Sequence, residues 1–127
     1  MRYIENTVHQ TPKVERWITD TTTGLDWAVY NQKKLNWDEA KEYAKSLEDG
    51  WRLPTDKEIE SIIDRSKYEP ATDIPEIVST YYWSSTEYAY NTGFAWRVSL
   101  IDGYVAALNK TLSYQVVCVR DSNHSEK

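Results

Sequence analysis

Apolar residues recur along this chain at two periods, and the change between them marks its organisation. Trp37, Ala40, Ala44 and Leu47 fall at helical spacing, with Lys41, Glu42 and Lys45 on the other side. That is the pattern of a helix burying one stripe. Asn36 and Glu39 have capping-box spacing at its start, and Gly50 stands where a C′ residue would end it. Thr55 and Glu58 repeat the capping signal, and Ile59, Ile62 and Ile63 form the apolar face of a second helix. Trp51-Arg52-Leu53-Pro54 is the connector between the two.

The rest of the chain follows the period of strands. Trp17 and Ile18 alternate with polar neighbours, Asp20 to Gly24 is a turn, and Leu25 to Tyr30 leaves it as a second short strand. Tyr81 to Ser84 is an aromatic strand. Phe94, Trp96, Val98 and Leu100 alternate with Ala95, Arg97 and Ser99, which predicts a half-buried strand. Asp102-Gly103 is a hairpin turn, from which Tyr104 to Leu108 returns antiparallel. Gln115 to Arg120 is the last strand, and its apolar run Val116 to Val119 implies burial on both faces. Residues 66–80 contain Pro70 and Pro75 and form a long irregular loop, a type that tends to be functional or mobile. Helices segregated from an antiparallel sheet give an α+β fold. The expected boundaries are an extended arm at 1–16, a binding domain at 17–120 and a polar tail at 121–127.

Charge and cysteine usage narrow the classes. The net charge of -5 opposes nonspecific affinity for nucleic acid or anionic membrane. No apolar run is long enough for membrane insertion. Cys118 is the one cysteine, so no internal disulfide forms, and its apolar strand makes it a core residue. Met1 to Arg16 has no signal-peptide stretch; the chain is expected to be cytoplasmic as written, or secreted or surface-exposed if a leader was removed.

Candidate chemistry is sparse. His9 and His124, the two histidines, lie at the ends, which opposes a nucleophile–histidine site. There is no Gly-rich phosphate loop, and neither a cofactor nor a metal is expected. Asp64, Glu69, Asp73 and Glu76 could form a calcium site, but a solvated acidic loop accounts for them. Arg52 is expected to pair with a buried carboxylate or with carbonyl groups at the end of the first helix. Trp51, Trp83 and Trp96 are read as core, and Ser84, Ser85 and Thr86 as ties from strand to loop.

One segment differs. The chain holds 6 Trp and 10 Tyr against one Phe, so some of these rings are expected to work through their polar handles. Glu87 to Gly93 is polar, aromatic and irregular, with the residue types of adaptable binding loops. Tyr88, Tyr90, Asn91, Arg97, Tyr104 and Asn109 are the candidate ligand-binding residues. Tyr88, Tyr90 and Tyr104 with Arg97 are expected to make one aromatic patch carrying a single cation.

Five fragments in order resemble a known family. They are Asp20…Thr23-Gly24-Leu25-Asp26-Trp27, Trp37-Asp38-Glu39-Ala40, Gly50-Trp51-Arg52-Leu53-Pro54-Thr55…Glu58-Ile59, Tyr82-Trp83-Ser84-Ser85-Thr86-Glu87 and Val117-Cys118-Val119-Arg120. The set, from about residue 17 to residue 120, resembles the Lcl C-terminal domain family, named for a bacterial collagen-like adhesin. The resemblance implies a C-type-lectin-like fold, related to that of formylglycine-generating enzymes and of retroelement-diversified receptor-binding proteins. It also implies surface display and glycosaminoglycan binding for some members; this chain is acidic and shows no collagen-like stalk. Sugar-binding lectins of that fold use a Glu-Pro-Asn loop and a Trp-Asn-Asp strand. Here Glu69-Pro70-Ala71 lacks the amide, and Asn36-Trp37-Asp38 has those residue types in another order.

The resulting expectation is a non-catalytic module that recognises a partner, foremost a protein, through the surface of residues 87–109. A rival is an adhesin binding glycans or glycosaminoglycans, whose basic patch would have to come from Lys33, Lys34, Lys41 and Lys45. Others are a mobile-element or phage protein that binds and inhibits a host factor, and an enzyme of the formylglycine-generating type.

Overall fold

The computed structural model describes residues 1–8 and 13–122; His9, Pro12 and His124 lie outside them. The described residues form an α+β architecture with nine strands in two sheets, two α-helices and one 3-10 turn. One sheet has four strands in the order β1 (Tyr3–Thr7), β2 (Arg16–Asp20), β3 (Leu25–Trp27) and β9 (Val119–Asp121). The other has five, in the order β4 (Lys33–Leu35), β8 (Tyr114–Val116), β5 (Tyr81–Glu87), β6 (Phe94–Ser99) and β7 (Val105–Asn109). Helices α1 (Trp37–Ser46) and α2 (Asp56–Glu60) fall between β4 and β5 in the chain.

The expected arm is therefore part of a sheet. Tyr3 to Thr7 pairs antiparallel with β2, from Tyr3↔Asp20 to Thr7↔Arg16. The expected last strand is two strands. Residues 114–116 belong to the five-stranded sheet and 119–121 to the four-stranded one. Val116 to Val119 cross from one to the other, and all four side chains are buried. Burial on both faces was thus legible, but its cause is a chain that changes sheets.

Both capping boxes form as the spacing predicts, at Asn36/Glu39 and at Thr55/Glu58. Trp37, Ala40, Ala44 and Leu47 are buried together with Trp51, Leu53, Trp83, Ala95, Val116 and Cys118. The Trp37 indole N–H donates to the Ser84 carbonyl at 2.8 Å, which satisfies the one polar atom that its burial would strand. A second cluster joins Ile59 and Ile62 to Ile18, Leu25, Trp27, Tyr82, Val98, Leu100, Val117 and Val119.

Three sequence expectations are corrected. Gly50 does not end α1: the helix stops at Ser46, and Glu48, Asp49 and Gly50 all have positive φ, at 60°, 54° and 85°. This left-handed stretch directs the Asp49 carbonyl to Arg120, which donates to it at 3.2 Å. The strand from Leu25 ends at Trp27, because Ala28 turns to donate its N–H to the Cys118 carbonyl at 2.9 Å and begins the 3-10 turn Val29–Asn31. In β6 the alternation is only partial. Ala95 and Ser99 are fully buried, while Phe94 and Trp96 are half-buried, because packing covers parts of both sheet faces.

The long loop at 66–80 is packed down. Ala71, Thr72 and Ile74 are buried, and the Ala71 N–H donates to the Leu100 carbonyl at 2.8 Å. The Tyr82 hydroxyl sits between the Gln32 side-chain oxygen (2.6 Å) and the Val78 carbonyl (2.7 Å), and accepts from the Val78 N–H at 3.0 Å.

A hydrogen-bonded row, buried at its Asp26–Arg120 end, crosses the whole four-stranded sheet. Asn6 donates to the Thr19 hydroxyl (2.8 Å), which donates to Asp26 (2.7 Å), which accepts from the Arg120 Nε (3.1 Å). Arg120 also lies 4.7 Å from the Trp17 ring centre and 4.4 Å from that of Trp51. Asp26 and Arg120 are both buried, so removing one partner leaves the other charged and unpaired. Asp26→Ala is expected to lower stability by about 3–5 kcal/mol in chemical denaturation; a loss below about 1 kcal/mol would show that the row is dispensable.

A second pair of variants tests the core assignment. Trp37→Ala should cost about 3–5 kcal/mol. Tyr90→Ala, at 90% exposure, should stay within about 0.5 kcal/mol. Equal shifts in denaturant midpoint would contradict the burial described.

Candidate functional site

The β5–β6 connection is built by short-range bonds. Tyr88 N–H donates to the Phe94 carbonyl (3.0 Å), Asn91 N–H to the Tyr88 carbonyl (3.2 Å) and Phe94 N–H to the Asn91 carbonyl (3.0 Å). The Asn91 side-chain oxygen accepts from the Gly93 N–H at 2.9 Å. The same tip is tied to its neighbours through Lys110. Its N–H donates to the Gly93 carbonyl at 3.0 Å and its ammonium to Glu87 at 2.6 Å, an ion pair that holds the Glu87 carboxyl below its usual range. On this fixed turn the Tyr88 ring packs 5.4 Å from Trp96, edge to face, and 5.6 Å from Tyr90. Tyr90 is nearly fully exposed.

The six candidate residues do not make one patch. Directly opposed residues on paired strands share a sheet face. Arg97 opposes Trp83 on one side and Ala106 on the other, whereas its neighbour Trp96 opposes Ala107. Arg97 therefore lies on the face opposite Trp96. Its guanidinium sits 4.1 Å from the Tyr81 ring centre and 5.0 Å from that of Tyr114, and donates to the Tyr114 hydroxyl at 3.2 Å. Tyr104, 75% exposed, follows the Asp102-Gly103 turn at the far end of the β6–β7 hairpin. The length of β6, roughly 16 Å at about 3.3 Å per residue, separates it from the Tyr88 end. Asn109 stands at the Tyr88 end, opposite Phe94, with its side-chain oxygen engaged by the Thr111 N–H (3.0 Å) and hydroxyl (2.8 Å).

So Tyr88, Tyr90, Asn91 and Asn109 gather at one end of the hairpin, Arg97 lies mid-strand on the other face, and Tyr104 stands apart. Sequence reasoning missed Tyr81, Tyr114 and Trp96 as the rings that flank these residues. Period-two alternation separates Trp96 from Arg97, but only the strand order places Tyr114 beside Tyr81.

Other candidates resolve into structural roles. Arg52 forms a two-pronged pair with Glu58, at 2.8 and 2.9 Å, on the capping residue of α2. Burial would raise the Glu58 pKa, but the bonds from Arg52 and the Thr55 N–H outweigh it and hold it low. The role expected of Arg52 toward a buried carboxylate and the end of α1 belongs to Arg120. Asp20 is fully buried and accepts from Arg2 (2.7 and 3.0 Å), the Thr22 N–H (3.0 Å) and the Thr23 hydroxyl (2.8 Å). These bonds overcome desolvation and keep its pKa below the ordinary value. Ser84 donates to the Trp96 carbonyl at 2.7 Å, and Thr86 donates to Asp56 at 3.0 Å and accepts from its N–H at 3.1 Å.

Among the described residues no three His, Cys, Asp or Glu are gathered as metal ligands, and no helix is long and apolar enough to cross a membrane. In the acidic loop Asp64 is bonded to Ser66 and Asp73 pairs with Lys67 at 3.1 Å. Lys41, Lys45 and Arg52 rim a groove of about 450 Å³ floored by Ala44, Trp51 and Leu53, with Glu42 also on its rim.

The residues that fix the architecture (Asp20, Asp26, Trp37, Arg52, Glu58, Ser84 and Arg120) are those of the five sequence fragments, and the model of the Lcl C-terminal domain family matches residues 16–120. The chain belongs to the Lcl C-terminal domain family. No curated protein gave a significant match. In this Lcl C-terminal domain the shared fragments serve the framework, while Tyr88 to Gly93 lies just beyond the last residue of the fourth fragment.

Cys118 is buried, and burial pushes its thiol up to about 12. At neutral pH this burial favours the protonated thiol and keeps it from solvent, the surroundings of a structural cysteine. A thiol reagent at mildly alkaline pH should leave the native domain unlabelled and label it fully in denaturant. The raised pKa also fixes the sign of its alkaline effect. Its stabilising contribution is complete below the ordinary 9.0 of the unfolded thiol and is lost as pH rises toward 12. Rapid native labelling would contradict the burial.

Proposed function

We propose that this domain is a non-catalytic binding module with a C-type-lectin-like fold, and that it recognises a protein through the Tyr88–Tyr90 end of the 87–109 surface. The observation that carries the reading is Tyr90, 90% exposed on a turn whose backbone and neighbouring ring are fixed by hydrogen bonds and by Tyr88 and Trp96. A large apolar ring held toward solvent stabilises the free domain little. It loses little conformational entropy when a partner covers it. The pairing of β3, from the first quarter of the chain, with β9, from its last, brings the two ends of the domain into one sheet and is in keeping with the fold. The non-catalytic part is supported by the engagement of Asp20, Asp26, Glu58 and Arg120 in bonds within the domain and by the burial of Cys118.

The glycan reading has weaker support. Lys33, Lys34, Lys41 and Lys45 are exposed, but Asp38, Glu39 and Glu42 stand among them, also exposed. A phage or mobile-element protein acting on a host factor would use the same protein-binding surface.

The test has two steps. A photoreactive residue in place of Tyr90 should crosslink the partner in host lysate, and calorimetry with the purified partner gives the affinity. Tyr88→Ala and Tyr90→Ala should then each weaken binding by about 2 kcal/mol or more, with thermal stability nearly unchanged for Tyr90→Ala. Lys41→Ala, on α1, is the control. If the tyrosine variants bind as the control does, or if heparin competes fully, the protein-partner reading fails.

A further inference from the structure

The second face of the five-stranded sheet carries an arginine with unusual surroundings. Arg97 stands mid-strand on β6, with Tyr81 on the adjacent strand β5 and Tyr114 on β8, one strand further on. Its guanidinium lies 4.1 Å and 5.0 Å from their ring centres, and the two rings meet edge to face at 6.1 Å. Trp83 packs on Tyr114 at 5.1 Å and closes the inner side of the group. Ala106, directly opposite on β7, has no side chain long enough to cover the charge. Tyr81 is 37% exposed and Arg97 is half-buried, so the group opens to solvent.

What this cation lacks is an anion. Among the described residues Arg2, Arg16, Arg52 and Arg120 are each paired with a carboxylate; Arg65 and Arg97 are not, and of these two Arg65 donates to the Gly103 carbonyl while Arg97 stands against two aromatic rings. A guanidinium has five N–H donors; the bond it makes within the described domain takes one, to Tyr114 at 3.2 Å. Its Nε is covered and has no acceptor among the described residues, so the groups left to a ligand are the remaining terminal N–H donors. The rings hold the guanidinium plane by cation–π contact while leaving its edge to a ligand, an arrangement that lowers the entropy lost on binding.

We propose that Arg97, flanked by Tyr81 and Tyr114, is a recognition site for a peptide carboxylate. A planar monoanion matches a single planar guanidinium in shape and charge. A phosphate dianion matches less well, because its second charge meets no further cation in the group of Arg97, Tyr81, Trp83 and Tyr114. The site lies on the sheet face opposite Trp96 and does not depend on the role given above to Tyr88 and Tyr90.

The test uses the whole domain, with the Arg97 side-chain N–H and the tyrosine rings followed by NMR. Four probes are titrated at constant ionic strength. They are the blocked peptide acetyl-Ala-Glu-Ala-amide, acetyl-Ala-Gln-Ala with a free C-terminus, acetyl-Ala-Gln-Ala-amide, and inorganic phosphate. A saturable shift of the Arg97 signal with either carboxylate peptide, absent with the neutral one, is the expected result. The first two probes separate a side-chain carboxylate from a C-terminal one. Arg97→Lys, which keeps the charge but loses the planar fork, should weaken the response about tenfold. Tyr114→Phe leaves the arginine in place and provides a second variant should Arg97→Lys fold poorly; it should move the Arg97 resonance and alter the affinity. A purely structural Arg97 would respond alike to all peptides. The proposal is overturned by no saturable shift, by equal shifts with the neutral peptide, or by tighter binding of phosphate than of both carboxylates.

Discussion

The architecture hangs on a buried charge. Arg120 reaches Asp26 across β9 and β3, the Asp49 carbonyl beyond the end of α1, and the faces of Trp17 and Trp51. One guanidinium thus joins the edge strand β9, the turn after the helix and two aromatic rings. The cost of taking it out of water is offset only because its partners are fixed. Asp26 is itself bonded to Thr19, and Thr19 to Asn6. Removing a member leaves an unsatisfied buried group, not merely a lost contact. This explains a backbone feature that helix rules alone do not. Glu48 and Asp49 take left-handed conformations, disfavoured for residues with a Cβ, and the carbonyl that Arg120 needs is thereby delivered.

The same logic accounts for the aromatic composition. A small domain that builds its core from Trp and Tyr must place their N–H and O–H groups. Trp37 gives its proton to Ser84, Tyr82 bonds Gln32 and Val78, and Tyr43 donates to the Asn31 carbonyl at 2.7 Å. Each bond ties one segment to another, so the polar handles act as cross-links in a chain whose loops are long. The segment 66–80 is held in this way. Tyr82 grips its far end, and Ala71, Thr72 and Ile74 plug its middle into the core.

Helix starts and their N-terminal caps were legible in the sequence because their signals are local; the helix ends were not, since Gly50 lies beyond α1 and Ile62 and Ile63, expected on the second helix, lie beyond α2. Asn36 with Glu39 and Thr55 with Glu58 each lie three residues apart, and the stripe of α1 needs no tertiary information. What was not legible depends on partners distant in the chain. The split between β8 and β9 is invisible in an unbroken apolar run, since either sheet would bury it. Lys33 to Leu35 carries no strand signal of its own and is an edge strand only because Tyr114 to Val116 is there to pair with it. The candidate surface failed as a single patch for the same reason. Residue types at 87–109 were informative, but neighbours on a strand point to opposite faces, so Trp96 and Arg97 belong to different surroundings.

Hydrogen-bond satisfaction then separates framework from candidate function within one composition. Asp20, Asp26, Arg52, Glu58, Ser84 and Arg120 are polar or charged residues in family fragments, and by residue type alone each could belong to a site. In the folded chain their bonding groups are engaged within the domain, which leaves them little to offer a ligand. Arg97 has the same chemistry as Arg120 and also stands between aromatic rings, yet it lacks the carboxylate that Arg120 has in Asp26. Arg2, Arg16, Arg52 and Arg120 each have an internal carboxylate, and Arg65 donates to the Gly103 carbonyl. Arg97 instead stands against rings that contact its guanidinium without neutralising its charge.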